Sequence, residues 1–353
     1  MSELTINTNL LLHNQRVMSE LAAKRGVGIT VVTKGLVGDK ALAELLVRHG
    51  AKSIAEAHIQ NLIKFQGIPA EKWLIRSPLI SEADDVVRYA DVSLVTEMIV
   101  LKHLSAAAAR QGRVHKTVVM LELGELREGC MPDELLPLCE ACLSLPGLAL
   151  HGIGANLSCI NEIVPDDLNM GALANAAETV EKSLGVKLPL VSGGSSSSVK
   201  MLEEGRLPER VNHLRIGEAI LLGNIVCYDM PYEGARTDAF TLCAEIIEVK
   251  EKPSLPWGER AHAQSETAHG AAAIDRGIRK RALIAVGKQD IHSKYLVPID
   301  PGLEILGDTS DCLIADVTDC SSAYKPGDAV YFRLKYNGLV SAMASDYIEK
   351  NII

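Results

Sequence analysis

The 353-residue chain is 47% hydrophobic and 23% charged, so it has material for a sizeable core and is not disordered. A net charge of -9, no extended Lys/Arg run and only 4% aromatic residues exclude nucleic acid as the expected partner, because phosphate contacts need cations and strand binding needs stacking platforms. No segment reaches the length of a membrane span and no basic leader precedes an apolar run, so the expectation is a cytoplasmic protein acting on a small molecule.

From about residue 8 to 230, short apolar runs alternate with longer segments of helical period. The strands read as GITVVT, KSIA, KWLI, DVSLV, KTVVMLEL, LALHGIG, LPLVSG and VNHLRI. Between them lie amphipathic segments such as ALAELLVRHG, EMIVLKHLSAAAARQG and ALANAAETVEKSLG, each closed by a glycine. Eight strands each followed by a helix predict a (β/α)8 barrel rather than an open doubly wound sheet. Cys139 and Cys142 have redox or metal spacing but lie in a helical segment, where they read as packing thiols.

After residue 236 the pattern changes. AFTLCAEIIEVK, RALIAVG, CLIADVT, DAVYFRLKY and LVSAMAS read as strands separated by turns such as KPGD, with a Pro-, Gly- and Ala-rich excursion from about 252 to 280. The expected division is a barrel over 1–235 and an all-β domain over 236–353.

Lys34 ends the first apolar strand, where barrels carry their chemistry. Such a lysine can simply reach solvent. Held in a barrel mouth, it can instead lose its proton and attack an aldehyde. An aldehyde cofactor such as pyridoxal phosphate would also require an anion cradle near the last strands. VSGGSSSSVKML, residues 191 to 202, offers one where two glycines leave a strand and serines open a helix; a flexible linker is the alternative. RIGEAILLG after the eighth strand adds a second glycine set.

VVTK, LELGELREG, GGSSSS and LRIGEAILLG together resemble the alanine racemase type of fold-type III pyridoxal-phosphate enzymes, and GDTSDCLIADVTD resembles that family's second-domain motif. The resemblance spans nearly the whole chain. VTKG, AEAHIQN, RKRALIAVGKQD and LGDTSDCLIADVTD look most like the ornithine racemase branch, whose members act on basic amino acids. By position, the resemblance implies Lys34 as cofactor lysine and catalytic base, and Arg127 near the cofactor's phenolic oxygen. Ser196, Ser197, Gly217 and Glu218 fall at the phosphate, Tyr336 near phosphate and substrate, and Arg215 opposite the ring nitrogen. Ser310 and Asp311 match the stretch that meets the substrate carboxylate, a group that Arg127 also faces. Asn156 stands where the family has a histidine, so a proton relay through that position is not expected. His151 reads as a core histidine without a role.

Racemisation needs a base on each face of the α-carbon. Lys34 covers one. The alanine racemases' catalytic tyrosine is matched here by Lys288 in VGKQDIH, with Asp290 and His292 as rivals, and the resemblance places that base in the neighbouring subunit of a head-to-tail homodimer. The expected activity is pyridoxal-phosphate-dependent racemisation of ornithine, with lysine and arginine as further substrates. Glu128, Asp290 and Glu304 are candidates for the substrate's distal ammonium. Two other readings are a basic amino-acid decarboxylase of the same fold and a non-catalytic pyridoxal-phosphate homeostasis protein. Decarboxylases carry a cysteine where this chain has Ser310, and Cys312 does not repair the match; the homeostasis proteins lack a β domain.

Overall fold

The computed structural model describes residues 2–228, 230–258 and 274–353. The chain forms two compact units, Leu11–Arg236 and Met1–Leu10 with Thr237–Ile353.

A first strand, β1 (Ser2–Ile6), leads into α1 (Thr8–Lys24). The barrel alternates from there: β2 (Gly28–Val32), α2 (Lys40–Arg48), β3 (Ser53–Glu56), α3 (Ile59–Lys64), β4 (Glu71–Leu74), α4 (Ala83–Tyr89), β5 (Val92–Val95) and α5 (Met98–Gln111). It continues with β6 (His115–Met120), α6 (Pro132–Ser144), β7 (Leu148–Ala155), α7 (Asp167–Leu184), β8 (Leu190–Gly193), α8 (Val199–Glu204), β9 (His213–Ile216) and α9 (Glu218–Leu221). The strands β2 to β9 close in chain order, each parallel to the next, with Thr30 of β2 opposite Arg215 of β9. These are the eight strands expected from the alternation of apolar runs.

Helix ends follow local chemistry. Asp39 caps α2 by accepting from the Leu42 amide at 2.9 Å, and Asp166 and Asn169 form a capping box at α7. Left-handed Gly112 and Gly185 end α5 and α7. Val32, Ala55, Trp73, Leu94, Val118 and Met120 pack a buried cluster. Below it the barrel holds a polar layer in which Thr30, Ser53, His115, Ser192 and His213 are all buried. Cys139 and Cys142 lie buried in α6, and burial pushes both thiols up, Cys142 to about 11; this suits packing rather than redox or metal chemistry.

The second unit is a sheet that is antiparallel except for the parallel pair of its first and last strands. After the short pair β10 (Asn224–Ile225) and β11 (Met230–Pro231) come β12 (Phe240–Pro253), β13 (Ile278–Ile284), β14 (Leu296–Pro298), β15 (Glu304–Asp308), β16 (Leu313–Asp316) and β17 (Ala329–Leu334). They are followed by α10 (Tyr336–Ala344) and β18 (Ile348–Ile352). The strand order is β14-β17-β12-β13-β16-β15, with β1 pairing to both β12 and β18. Part of the expected 252–280 excursion, residues 259–273, lies outside the described residues.

Two expectations are corrected. LVSAMAS is not a strand: residues 339 to 344 belong to α10, which buries Leu339 and Ala342 at helical spacing. An apolar run without alternation does not distinguish the two periods, and Leu, Ala and Met favour the helix. The first residues, expected with the barrel, supply β1 to the sheet unit, because SELTI alternates and buries Leu4 and Ile6 on one face.

Candidate active site

Strand β2 aims the chain into the barrel mouth and stops at Val32, and a 3-10 turn over Lys34–Leu36 follows. Val37 then takes a left-handed φ of 52° and Gly38 one of 75°. A valine in that region is strained, so the turn is held by its surroundings. Glu56, at the end of β3 and fully buried, accepts from Thr33 Oγ1 at 2.8 Å and from Asn61 Nδ2 at 3.0 Å. A Cβ on Gly38 would meet Asn61 Oδ1 at 2.4 Å, so glycine is what lets this amide lie against the turn.

This clamp sets the environment of Lys34. Burial lowers the pKa of its amine and the Arg127 charge lowers it further, while Cys159, Glu128 and Glu56 act in the opposite sense. Burial pushes the Glu56 carboxyl up to about 7, against the hydrogen bonds from Thr33 and Asn61 and the charges of Lys64 and Lys34. The mouth therefore holds an amine that deprotonates more easily than usual beside an acid that titrates near neutrality.

Arg127 lies in the loop after β6, joined to the loop after β7 by Glu125. That buried carboxylate accepts from the amides of Cys159 at 2.9 Å, Asn161 at 2.8 Å and Ile163 at 3.2 Å. Arg127 donates to Cys159 Sγ at 2.9 Å and pairs through two nitrogens with Glu128. Burial alone would lower its pKa, but the pair with Glu128 outweighs it. Asn156 directly follows β7, half-buried.

After β8 the serines form a compact turn. Ser195 Oγ accepts from the Ser197 amide at 3.4 Å, and Ser198 donates to the Gly193 carbonyl at 2.6 Å. Ser196 and Ser197 are buried, and Ser196 Oγ accepts from the Ala219 amide at 3.1 Å, joining this turn to the segment where Gly217 and Glu218 leave β9. Arg215, 3% exposed, projects from β9, donating to Ser192 Oγ and, at 2.8 Å, to the Ala155 carbonyl. Burial pulls its pKa down to about 10, with Glu128 and Arg127 adding opposed charges, so it stays cationic at neutral pH.

The remaining expected residues lie in the sheet unit, where Lys288, Asp290, His292, Ser310 and Asp311 meet in one loop cluster. The amides of Lys288 and Gln289 donate to the carbonyls of Thr309 and Ser310 at 2.9 Å each. A Cβ on Gly287 would meet the backbone of Asp311 at 2.5 Å, which is why a glycine precedes the lysine. Asp308 stands at the centre: Lys288 Nζ lies 3.7 Å and His292 Nδ1 3.0 Å from its carboxylate, and the Ser293 amide donates to it at 2.6 Å. Asp290 instead accepts from Ser345 at 2.8 Å. Glu304 is committed to Arg276 at 2.8 Å, at the far end of β15 from Asp308. Ser310 and Asp311 are exposed, and Tyr336 opens α10.

Residues 6–224 match the family model described as "Alanine racemase, N-terminal domain". The chain belongs to this family. It is 38% identical to an ornithine racemase of Acetoanaerobium sticklandii, over 99% of each chain. It is also 36% identical to a lysine racemase of Thermotoga maritima, covering 98% of this chain and 97% of that one. The fold matches an alanine racemase of Bartonella henselae, solved with covalently bound pyridoxal phosphate, at a TM-score of 0.73 and 15% identity, over 100% of this chain and 99% of that one.

The donor set of the barrel mouth fits an anionic aldehyde cofactor. Lys34 supplies a half-buried amine of lowered pKa, the turn at 195–198 and the amides after β9 cluster polar groups about two buried serines, and Arg215 supplies a buried cation. Glu56, Glu125 and Asp308 were not singled out from the sequence. Each lies within one of the family-like motifs AEAHIQN, LELGELREG and GDTSD, so the segment is conspicuous in the sequence while the role of its carboxylate is not.

Proposed function

We propose that the protein is a pyridoxal-phosphate-dependent racemase of a basic amino acid, ornithine first, with lysine and arginine as further substrates. The carrying observation is Lys34: a half-buried amine of lowered pKa at the C-terminal end of the first barrel strand, with Arg215 as a buried cation in the same barrel mouth. Full-length relatives named ornithine racemase and lysine racemase support the substrate class.

When bound, the cofactor supplies an aldehyde for amines and a ring that draws electrons from the substrate's α-carbon. Lys34 holds the cofactor and carries a proton at Nζ on one face. Ser196, Ser197 and the amides around Gly217 and Glu218 bind its phosphate, with Tyr336 nearby. Arg215, a cation at neutral pH, would keep the ring nitrogen of the bound cofactor unprotonated, limiting the electron withdrawal that the cofactor supplies. Arg127 orients the phenolic oxygen and the substrate carboxylate, with Ser310 and Asp311 at the same carboxylate. Asn156, an amide that cannot carry a proton as a histidine does, would help bind the cofactor without relaying a proton.

On the opposite face Lys288 is the second base, contributed by the neighbouring subunit of a head-to-tail homodimer. Asp308 holds it within 3.7 Å. Asp290 is the weaker candidate, since its carboxylate accepts from Ser345, whereas His292 shares Asp308 with Lys288. The barrel unit, Leu11–Arg236, would bind the cofactor, and the sheet unit, Met1–Leu10 with Thr237–Ile353, would supply the second base.

The test is proton NMR of the cofactor-loaded protein with L-ornithine in heavy water, followed by chiral chromatography of the same sample. Loss of the α-proton signal with appearance of the D-isomer is expected. Release of the diamine would indicate a decarboxylase. No exchange with ornithine, lysine or arginine would favour a cofactor-binding protein without turnover.

A further inference from the structure

The polar layer below the barrel mouth contains one continuous run of hydrogen bonds that starts at Arg215. Its guanidinium donates to Ser192 Oγ. Ser192 Oγ lies 3.0 Å from His213 Nδ1, and His213 Nε2 lies 2.9 Å from Thr30 Oγ1. Thr30 Oγ1 is 2.7 Å from Ser53 Oγ, which donates to the Ile29 carbonyl at 3.3 Å. All five side chains are buried.

Only one direction uses every proton. An arginine only donates, so Ser192 accepts from it and has one proton to give, for which His213 Nδ1 is the acceptor in the run. Nε2 then carries the imidazole proton and donates to Thr30, Thr30 donates to Ser53, and Ser53 donates to the carbonyl that ends the chain. Reversing the run would point Nδ1–H and the guanidinium at the same oxygen and leave the Ser192 proton without an acceptor among these bonds. Each such loss is costly in a buried layer.

We propose that Ser192 and His213 are positioning residues for Arg215, with His213 locked as the neutral imidazole protonated on Nε2 so that Ser192 always presents a lone pair to the guanidinium. With the Ala155 carbonyl on Nη2 and Ser192 on Nη1, the guanidinium is held at both ends and has one orientation. The imidazole is itself fixed, stacked on Trp73 at 5.0 Å with 14° between the planes. Its charged and titratable neighbours are Arg215 and His151, and both disfavour a proton on it. Burial, acting first, and these two neighbours push His213 down to about 3, so the lock holds across the working pH range. The functional consequence rests on the reading of Arg215 as the cation facing the cofactor ring: its aim is set from behind by a histidine and a serine that touch neither cofactor nor substrate.

The test is nitrogen-15 NMR of histidine-labelled full-length protein, with and without cofactor, His213 being assigned by its loss in His213→Gln. The expected spectrum shows a bare Nδ1 and a protonated Nε2, unchanged as pH is taken through the ordinary histidine range. A proton on Nδ1, or titration near the ordinary midpoint, overturns the proposal. In Ser192→Ala, tautomer exchange is expected, with a shifted pH midpoint of the bound cofactor's visible absorbance and a kcat lowered about tenfold at nearly constant KM. Ser192→Thr keeps the hydroxyl and should restore all three within about twofold. A Ser192→Ala protein matching wild type in both spectra also overturns it. The tautomer is read without cofactor, so wild-type protein that takes up no pyridoxal phosphate would sink the functional reading alone.

Discussion

Lys34 and Glu56 are ionisable groups of the same barrel mouth that each feel the other's charge, and their chemistry is separable by substitution. Lys34→Ala is expected to lose the cofactor absorbance on dialysis and to lower kcat by at least about 10³-fold; retention of both would remove Lys34 from the site. Glu56 is raised to about 7 from an ordinary 4.5, so the folded protein binds a proton there that the unfolded chain releases. Its stabilising effect is complete below about 4.5 and is lost as pH rises through 7, by roughly 3 kcal/mol as an upper bound. Glu56→Gln keeps a hydrogen-bonding amide without the charge. The melting temperature of the variant relative to wild type should therefore climb between pH 5.5 and 8; a difference independent of pH would mean that Glu56 is already ionised. Lys34 was legible in the sequence because a lysine ending an apolar strand is conspicuous. Glu56 was not, because a Glu ending a strand declares neither its burial nor the Thr33 and Asn61 partners that come to it through the fold.

The elements that carry these residues show where local pattern suffices. All eight barrel strands follow from apolar runs, and helix ends at Gly112 and Gly185 follow from composition, since these features depend on neighbours in the chain. The helix α10 escaped the same reasoning, because its period is hidden in a run apolar on both parities. The Lys34 turn combines both cases: TKGLVGD reads as a break after a strand, but its left-handed Val37 and Gly38, and the close approach of Asn61 from α3 to Gly38, are features of the folded chain. Gly38→Ala should therefore cost about 1 to 3 kcal/mol in thermal unfolding and weaken cofactor retention, since it adds left-handed strain and displaces the amide that holds Glu56. A variant as stable as wild type would show that Asn61 can move freely, and that the clamp does not hold the turn.

At the scale of the molecule, the barrel and the sheet unit each gather part of the proposed catalytic set, Lys34 with Arg127 and Arg215 in one, Lys288 with His292 and Asp308 in the other. If the two lysines of a site come from different subunits, Lys34→Ala and Lys288→Ala proteins, each inactive alone, should recover about a quarter of wild-type activity after mixing and subunit exchange, because about half of the dimers are mixed and each holds one complete site. No recovery, with subunit exchange shown independently, would place both lysines on one chain. The sequence by itself determined the barrel, the β-rich second unit and the residues that match the family motifs, because alternation, helical period and turn chemistry are short-range properties of the chain. Only the tertiary structure decided that the N-terminal strand joins the sheet, that Glu125 ties two loops around Arg127, and that Asp308 gathers Lys288 and His292. The tertiary structure also decided that Ser192 and His213 stand behind Arg215. Those contacts join residues from separate strands and loops, and burial and hydrogen-bond partners exist only once the chain has closed on itself.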